Sequence, residues 1–249
     1  MKGSAFEYLL NVRSQRGAGY LVLIDPDRKN DGILEDLVTT VNESEADAIL
    51  MGGSLFMDGR FQERAAKVRE TARVPVILFP GAANQLGPHC DAVLFMSVIS
   101  GRNPNYLIGE QVIAAPIVKD LGLEPIPTGY LLFDGGGNST VEFMSNSKPL
   151  PLNRPDIAIA HGLAAEYLGM KLLYLEAGSG ARQSVPEKTI RSVASEVSLP
   201  LIVGGGIRTG QEARSKVKAG ASFIVTGTAI EDPNRLDLLN EFADAIHGN

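Results

Sequence analysis

Three consecutive glycines, Gly204, Gly205 and Gly206, run into Ile207, Arg208 and Thr209. Without a Cβ, such a turn lets backbone N–H groups close on an anion. A helix starting just beyond would add a favourable dipole. A second small-residue turn, Thr226-Gly227-Thr228, stands in front of Ala229 and Ile230. Glycines of this kind can also serve only as tight turns, but two of them in succession favour a phosphate site. Upstream, Glu176 sits in Tyr174-Leu175-Glu176-Ala177-Gly178-Ser179-Gly180. A carboxylate there could take a proton or a hydrogen bond from a substrate hydroxyl, or pair with a lysine or arginine of the rim. Near the start, Asp25-Pro26-Asp27-Arg28 and Met51-Gly52-Gly53-Ser54 offer a carboxylate and a hydroxyl. Hard oxygen donors in small number suit Mg²⁺, which completes its shell with water and phosphate oxygens. The competing reading is that Asp25 and Asp27 cap the next helix.

These residues need elements to present them. Eight short apolar runs recur: Tyr20–Asp25, Asp47–Met51, Val74–Phe79, Asp91–Met96, Glu124–Tyr130, Lys171–Glu176, Leu199–Val203 and Ser222–Thr226. Continuous apolarity predicts strands buried on both faces, as in a parallel sheet. The fifth run is the weakest strand former, with two prolines and a glycine. Between the runs, Ile33, Leu34, Leu37, Val38 and Val41 keep a helical spacing, as do Ile190, Val193, Ala194 and Val197, and Leu236, Leu239, Phe242 and Ile246. Ser184 with Glu187 and Thr209 with Glu212 predict capping boxes; Asp232-Pro233 predicts a helix start. Between the third and fourth runs only a short or missing helix fits. Eight such units predict one (β/α)₈ barrel domain spanning residues 1–249. An open doubly wound sheet competes, but the GxGxxG turn it would need after the first strand is absent. In a barrel, all the residues singled out above stand at C-terminal strand ends, where reactions take place.

Composition narrows the partners. Across 249 residues, Lys and Arg number 23 and Asp and Glu 29, a net charge of −6, so no global attraction to nucleic acid or an anionic membrane is expected. An anionic ligand must be held locally. The single cysteine, Cys90, excludes an intrachain disulfide and a Cys-rich zinc site. His89, His161 and His247 have no metal-ligand spacing. No signal peptide and no membrane span is evident, and the expected address is the cytosol.

The segments LIDPDR (23–28), MGGS (51–54), FPGAANQ (79–85), IPTGYLL (126–132), YLEAGSG (174–180), VGGGIRTG (203–210) and VTGT (225–228) resemble, in order, the geranylgeranylglyceryl phosphate synthase family. YLEAGSG together with GGGIR is the most discriminating pair; GGGIR alone is shared by many phosphate-binding barrels. The resemblance implies transfer of a prenyl group, geranylgeranyl or similar, from a prenyl diphosphate to the C3 hydroxyl of sn-glycerol 1-phosphate, with Mg²⁺. It implies that Asp25 and Ser54 hold the metal. Tyr174, Leu175, Glu176, Ala177, Gly178, Ser179, Gly180, Gly205, Gly206, Gly227 and Thr228 would bind glycerol phosphate, with Glu176 the catalytic group. A homo-oligomer is expected.

A prenyl tail needs an apolar groove, for which Phe79, Phe95, Met96, Leu107, Tyr130, Leu132, Phe133 and Phe143 are candidates that sequence does not separate from core. The irregular stretch 134–153 would follow the fifth strand and could cover the tail. Two rivals stay open: a phosphate-barrel lyase or isomerase, and an inert phosphate-binding scaffold. The first would want a lysine at a strand end, whereas Lys171 opens its strand. The second would not need Asp25, Ser54 and Glu176 to converge.

Overall fold

The computed structural model describes residues 4–137, 139–227 and 236–248. Eight parallel strands close into a barrel in sequence order, β8 pairing with β1. They are β1 Gly19–Ile24, β2 Ala48–Met51, β3 Val76–Leu78, β4 Ala92–Ser97, β5 Glu124–Leu132, β6 Leu172–Glu176, β7 Leu201–Gly204 and β8 Phe223–Thr226. Each falls on one of the apolar runs, because strands buried between barrel interior and helices are apolar on both faces.

β5, the weakest strand by composition, is nine residues long. Its pairing with β6 begins only at Thr128, opposite Leu172. Pro125 and Pro127 lie ahead of that point, so on the β6 side their missing N–H groups cost no ladder bond. The Pro127 carbonyl still accepts from Lys171 N–H at 2.8 Å.

The helices among the described residues are α1 Ala5–Arg16, α2 Leu34–Glu43, α3 Phe61–Thr71, α4 Glu110–Leu121, α5 Thr140–Ser145, α6 Pro155–Tyr167, α7 Glu187–Glu196, α8 Gly210–Lys218 and α9 Leu236–His247. Leu34, Leu37, Val38 and Val41 form the buried stripe of α2; Ile190 and Val193 do so in α7, with Ala194 exposed. Leu239, Phe242 and Ile246 anchor α9. Only a 3₁₀ turn, Ala83–Gln85, bridges β3 to β4. Asp232-Pro233 lies outside the described residues.

The expected cap at Ser184 is not formed: α7 begins at Glu187 after Pro186, whose extended backbone sets the start. At α8, Thr209 caps Glu212 N–H at 3.2 Å, and Glu212 Oε2 reaches one residue past the cap, accepting from Arg208 N–H at 2.7 Å. No described helix is long and apolar enough to cross a membrane.

Candidate active site

The C-terminal ends of the strands open into one cavity of about 800 Å³, within the range of small-molecule sites. Asp25, Ser54, Tyr174, Glu176, Gly178, Ser179, Gly180, Gly205, Gly206 and Gly227 all line it. Leu175 and Ala177 do not; both are buried in the core outside the cavity wall. Side chains alternate along a strand, so Tyr174 and Glu176 face the mouth while Leu175 between them faces the helices. Thr228 lies outside the described residues.

The glycine-bearing end is made by two touching loops. Gly178, Gly180, Gly205 and Gly206 all have positive φ, between +67° and +100°, a backbone that costs other residues roughly 1–2 kcal/mol each. A Cβ on Gly205 would stand 2.7 Å from Gly178 N and 2.4 Å from Glu176 Oε1. Glycine there is a condition for the β6 and β7 loops meeting at all.

Glu176 is 7% exposed and has no ion-pair partner among the described residues, so the rim salt bridge is not formed. Its Oε1 accepts the Gly178 N–H at 2.6 Å. Burial pushes its carboxyl up to about 7, against the lowering effect of that hydrogen bond and of the nearby Tyr174 hydroxyl. The Tyr174 hydroxyl is buried without a well-aligned hydrogen bond. It stands 2.6 Å, and Glu176 Oε2 2.8 Å, from where a Gly204 Cβ would be. Burial, then the Glu176 charge, raises the hydroxyls of Tyr174 and Tyr130 well above the usual range. Both therefore stay neutral.

The opposite end carries the oxygen donors. Asp27 is a cap: its Oδ1 accepts Arg28 N–H at 2.6 Å, starting the turn Arg28–Asn30. Asp25 instead lies against the β2 loop, its Oδ1 2.9 Å from the position a Gly53 Cβ would take. The capping alternative thus holds for Asp27, the N-cap of that turn. Two braces fix this end. Gln85 donates to Gly53 O at 2.8 Å and accepts from Gly81 N–H at 3.0 Å. Arg64, 1% exposed, forks onto Asp31 and Asp58 in the loops after β1 and β2, with Nη2 to Asp58 Oδ2 at 2.7 Å. Those contacts hold both carboxyls below the usual range. A carboxylate and a hydroxyl, Asp25 and Ser54, on adjacent braced loops fit Mg²⁺ bound largely through a substrate's phosphates. No group of three or more His, Cys, Asp or Glu side chains suited to a metal occurs among the described residues.

Between the two ends the wall is apolar. Phe79 stacks on Tyr174 with centroids 5.2 Å apart, and Tyr130 meets Tyr174 edge-on at 5.4 Å. Phe79, Phe95, Met96 and Tyr130 line the cavity; Leu132 and Phe133 are core, Leu107 is not part of the wall, and Phe143 is 85% exposed. The stretch 134–153 contributes Ser139, Thr140, Val141, Met144 and Ser145 to the wall, four of them from α5. Lys29 and Arg208, given no role from sequence, also line it. His161 bonds within its own helix to Ile157 O, and Cys90 is half-buried with its thiol pushed up to about 12 by burial, so neither is a reacting group.

Fold and site together define a (β/α)₈ barrel whose strand-end cavity joins glycine loops and a buried carboxylate to an apolar wall and further oxygen donors. The chain belongs to the PcrB family, which it matches over residues 10–246. It is 43% identical over 247 residues to a geranylgeranylglyceryl phosphate synthase of Chitinophaga pinensis, covering 99% of this chain and 97% of that one. It is 42% identical to the enzyme of that name from Pyrococcus furiosus, covering 95% and 94%. Its fold superposes with a TM-score of 0.93 on the crystal structure of (S)-3-O-geranylgeranylglyceryl phosphate synthase from Thermoplasma acidophilum in complex with the substrate sn-glycerol-1-phosphate, at 34% identity and covering 99% and 100%.

Proposed function

We propose that this chain is a Mg²⁺-dependent prenyltransferase joining a prenyl diphosphate, geranylgeranyl diphosphate in the first instance, to the C3 hydroxyl of sn-glycerol 1-phosphate. The observation that carries the reading is one cavity lined by the glycine loops and Glu176, by Asp25 and Ser54, and by the rings of Phe79, Tyr130 and Tyr174. Backbone N–H groups of Ser179, Gly180, Gly205, Gly206 and Gly227 would take the phosphate of glycerol phosphate, while Gly178, whose N–H is held by Glu176, would shape the loop around it. That fixes the C3 hydroxyl near Glu176, and such positioning can offset several kcal/mol of barrier.

In the transfer, the C3 oxygen forms a bond to the allylic C1 carbon as the C1–O bond to diphosphate breaks. The electron pair leaves with diphosphate, and the hydroxyl proton passes to the Glu176 carboxylate. The faces of Phe79, Tyr130 and Tyr174 suit an allylic carbon gaining positive charge, and an apolar wall there keeps water away from it. Asp25 and Ser54 would hold Mg²⁺, which when bound neutralises charge growing on the leaving diphosphate. Val141 and Met144 of α5 would cover the tail. Copies of the chain associate through α4, whose Val112 and Ile113 are 64% and 57% exposed.

Incubation of the purified protein with Mg²⁺, sn-glycerol 1-phosphate and prenyl diphosphates of several lengths, followed by mass analysis, tests the reading. A prenyl ether of glycerol phosphate plus diphosphate is expected; intact substrates with every prenyl length would discard it.

A further inference from the structure

The two glycine loops touch, but no strand pairing extends into the place where they meet. A Cβ on Gly206 would stand 3.1 Å from Ala181 O, so the β7 loop lies directly against the β6 loop. The far side of the β6 loop is already fastened: Arg182 and Gln183 N–H groups donate to Gly135 O at 2.9 and 3.0 Å. Its near side is joined to β7 by Ala177 N–H donating to Gly204 O at 3.1 Å where the strands end, and beyond that point by one side chain. Arg208 donates from Nη1 to Gly206 O at 3.0 Å and from Nη2 to Ala181 O at 2.6 Å. One planar guanidinium thus joins one carbonyl from each loop. Arg208 is itself anchored, since its backbone N–H is held by Glu212 in the first turn of α8, next to the Thr209 cap.

The geometry points to Arg208 as a positioning residue that sets the spacing of the β6 and β7 loops, so that their N–H groups converge on the phosphate of glycerol phosphate. This rests on the function proposed above for the same site. One donor of each terminal nitrogen is held by a protein carbonyl, which ties the guanidinium to both loops. A simple charge effect predicts something different, because lysine would supply it equally well. Lysine has one ammonium and no planar fork, so it does not hold two carbonyls at a fixed separation.

The test compares Arg208→Lys and Arg208→Gln with the unaltered enzyme, by calorimetric titration with sn-glycerol 1-phosphate and by steady-state kinetics. Both variants should bind sn-glycerol 1-phosphate about tenfold more weakly, the equivalent of about 1.4 kcal/mol. The KM for prenyl diphosphate should stay within about twofold. Arg208→Lys binding like the unaltered enzyme would mean that charge alone matters, and the proposal falls. A parallel rise in both KM values with a lowered Tm would reduce Arg208 to general structural support and also overturn it. If the unaltered enzyme does not bind sn-glycerol 1-phosphate, the proposed function fails together with this role. If it binds and neither variant differs, only the role of Arg208 is lost.

Discussion

Gly178 donates its backbone N–H to Glu176 Oε1 at 2.6 Å, so the β6 loop folds back onto the carboxylate that ends its own strand. Burial outweighs this bond and leaves the carboxyl titrating at about 7. A base with that value is half-charged near neutrality, the favourable range for accepting a proton at physiological pH. Turnover should therefore fall with unit slope as pH drops below about 7, and Glu176→Gln should lower kcat by about 10²–10⁴. The amide keeps an oxygen for Gly178, so the affinity for sn-glycerol 1-phosphate should change little. A flat pH profile, or equal loss of turnover and binding, would make Glu176 a structural residue.

The same shift has a stability consequence of the opposite sign from that of a paired carboxylate. The folded chain holds the Glu176 proton up to about pH 7, whereas an unfolded glutamate releases it near 4.5. Stability is therefore lost as pH rises through that window. Glu176→Gln should match the unaltered chain at pH 4.5 and exceed it at pH 8, by an amount on the order of 3 kcal/mol. Denaturant titrations of both proteins at the two pH values measure the difference; a variant less stable at pH 8 would show that burial does not raise this group.

Much of the architecture was legible because barrel strands are buried on both faces and read as plain apolar runs. Alternation within a motif was not: Leu175 belongs to YLEAGSG yet points away from Tyr174 and Glu176. The split between Asp25 and Asp27 depends on Gly53 letting a carboxylate lie against the neighbouring loop, a contact between residues 28 positions apart. Met96 and Leu132 are equally apolar, and only the three-dimensional path of β4 and β5 makes one wall and the other core. The raised Glu176 carboxyl follows from Gly204 and Gly205 closing against it, which spacing in the chain does not reveal.

Gly205 is the position least able to change. Its φ is +81° and a Cβ would stand 2.4 Å from Glu176 Oε1. Gly205→Ala should push the carboxylate away from Gly178 and part the two loops. We expect glycerol phosphate affinity to fall by about tenfold or more, from the roughly 1–2 kcal/mol of backbone strain alone. Calorimetric titration checks this; unchanged affinity would remove the β7 loop from the phosphate site.

Asp25→Ala removes a carboxylate but no core packing, since its neighbours at Gly53 are backbone. Mg²⁺-dependent turnover should be abolished while circular dichroism and Tm stay close to those of the unaltered chain. Glycerol phosphate binding, at the other end of the cavity, should survive. Normal activity in the variant would take Asp25 out of the metal role, and loss of glycerol phosphate binding would show that the two ends are not separable.

Helix α4 exposes more aliphatic side chains than helices such as α2 and α7, whose apolar stripes are buried. Only Val118 of α4 is buried, while Val112, Ile113 and Ile117 are 64%, 57% and 39% exposed, and Ile108 just ahead of it is 60% exposed. Apolar side chains gathered on the outward face of one helix mark a contact surface rather than scattered surface residues. A helix of this kind can be covered by its own copy in a symmetric dimer, the commonest closed assembly. Light scattering should then give a mass that is a multiple of 26.5 kDa. Replacing Ile113 and Ile117 together by Glu should return it to the single-chain value, because burying two carboxylates against a partner costs far more than leaving them in water. Glu110, Gln111 and Ala114 of α4 line the cavity but Ile113 and Ile117 do not, so the dissociated variant should keep its circular dichroism and its affinity for sn-glycerol 1-phosphate. A single-chain mass for the unaltered protein, or an assembly indifferent to the two glutamates, would rule out association through α4.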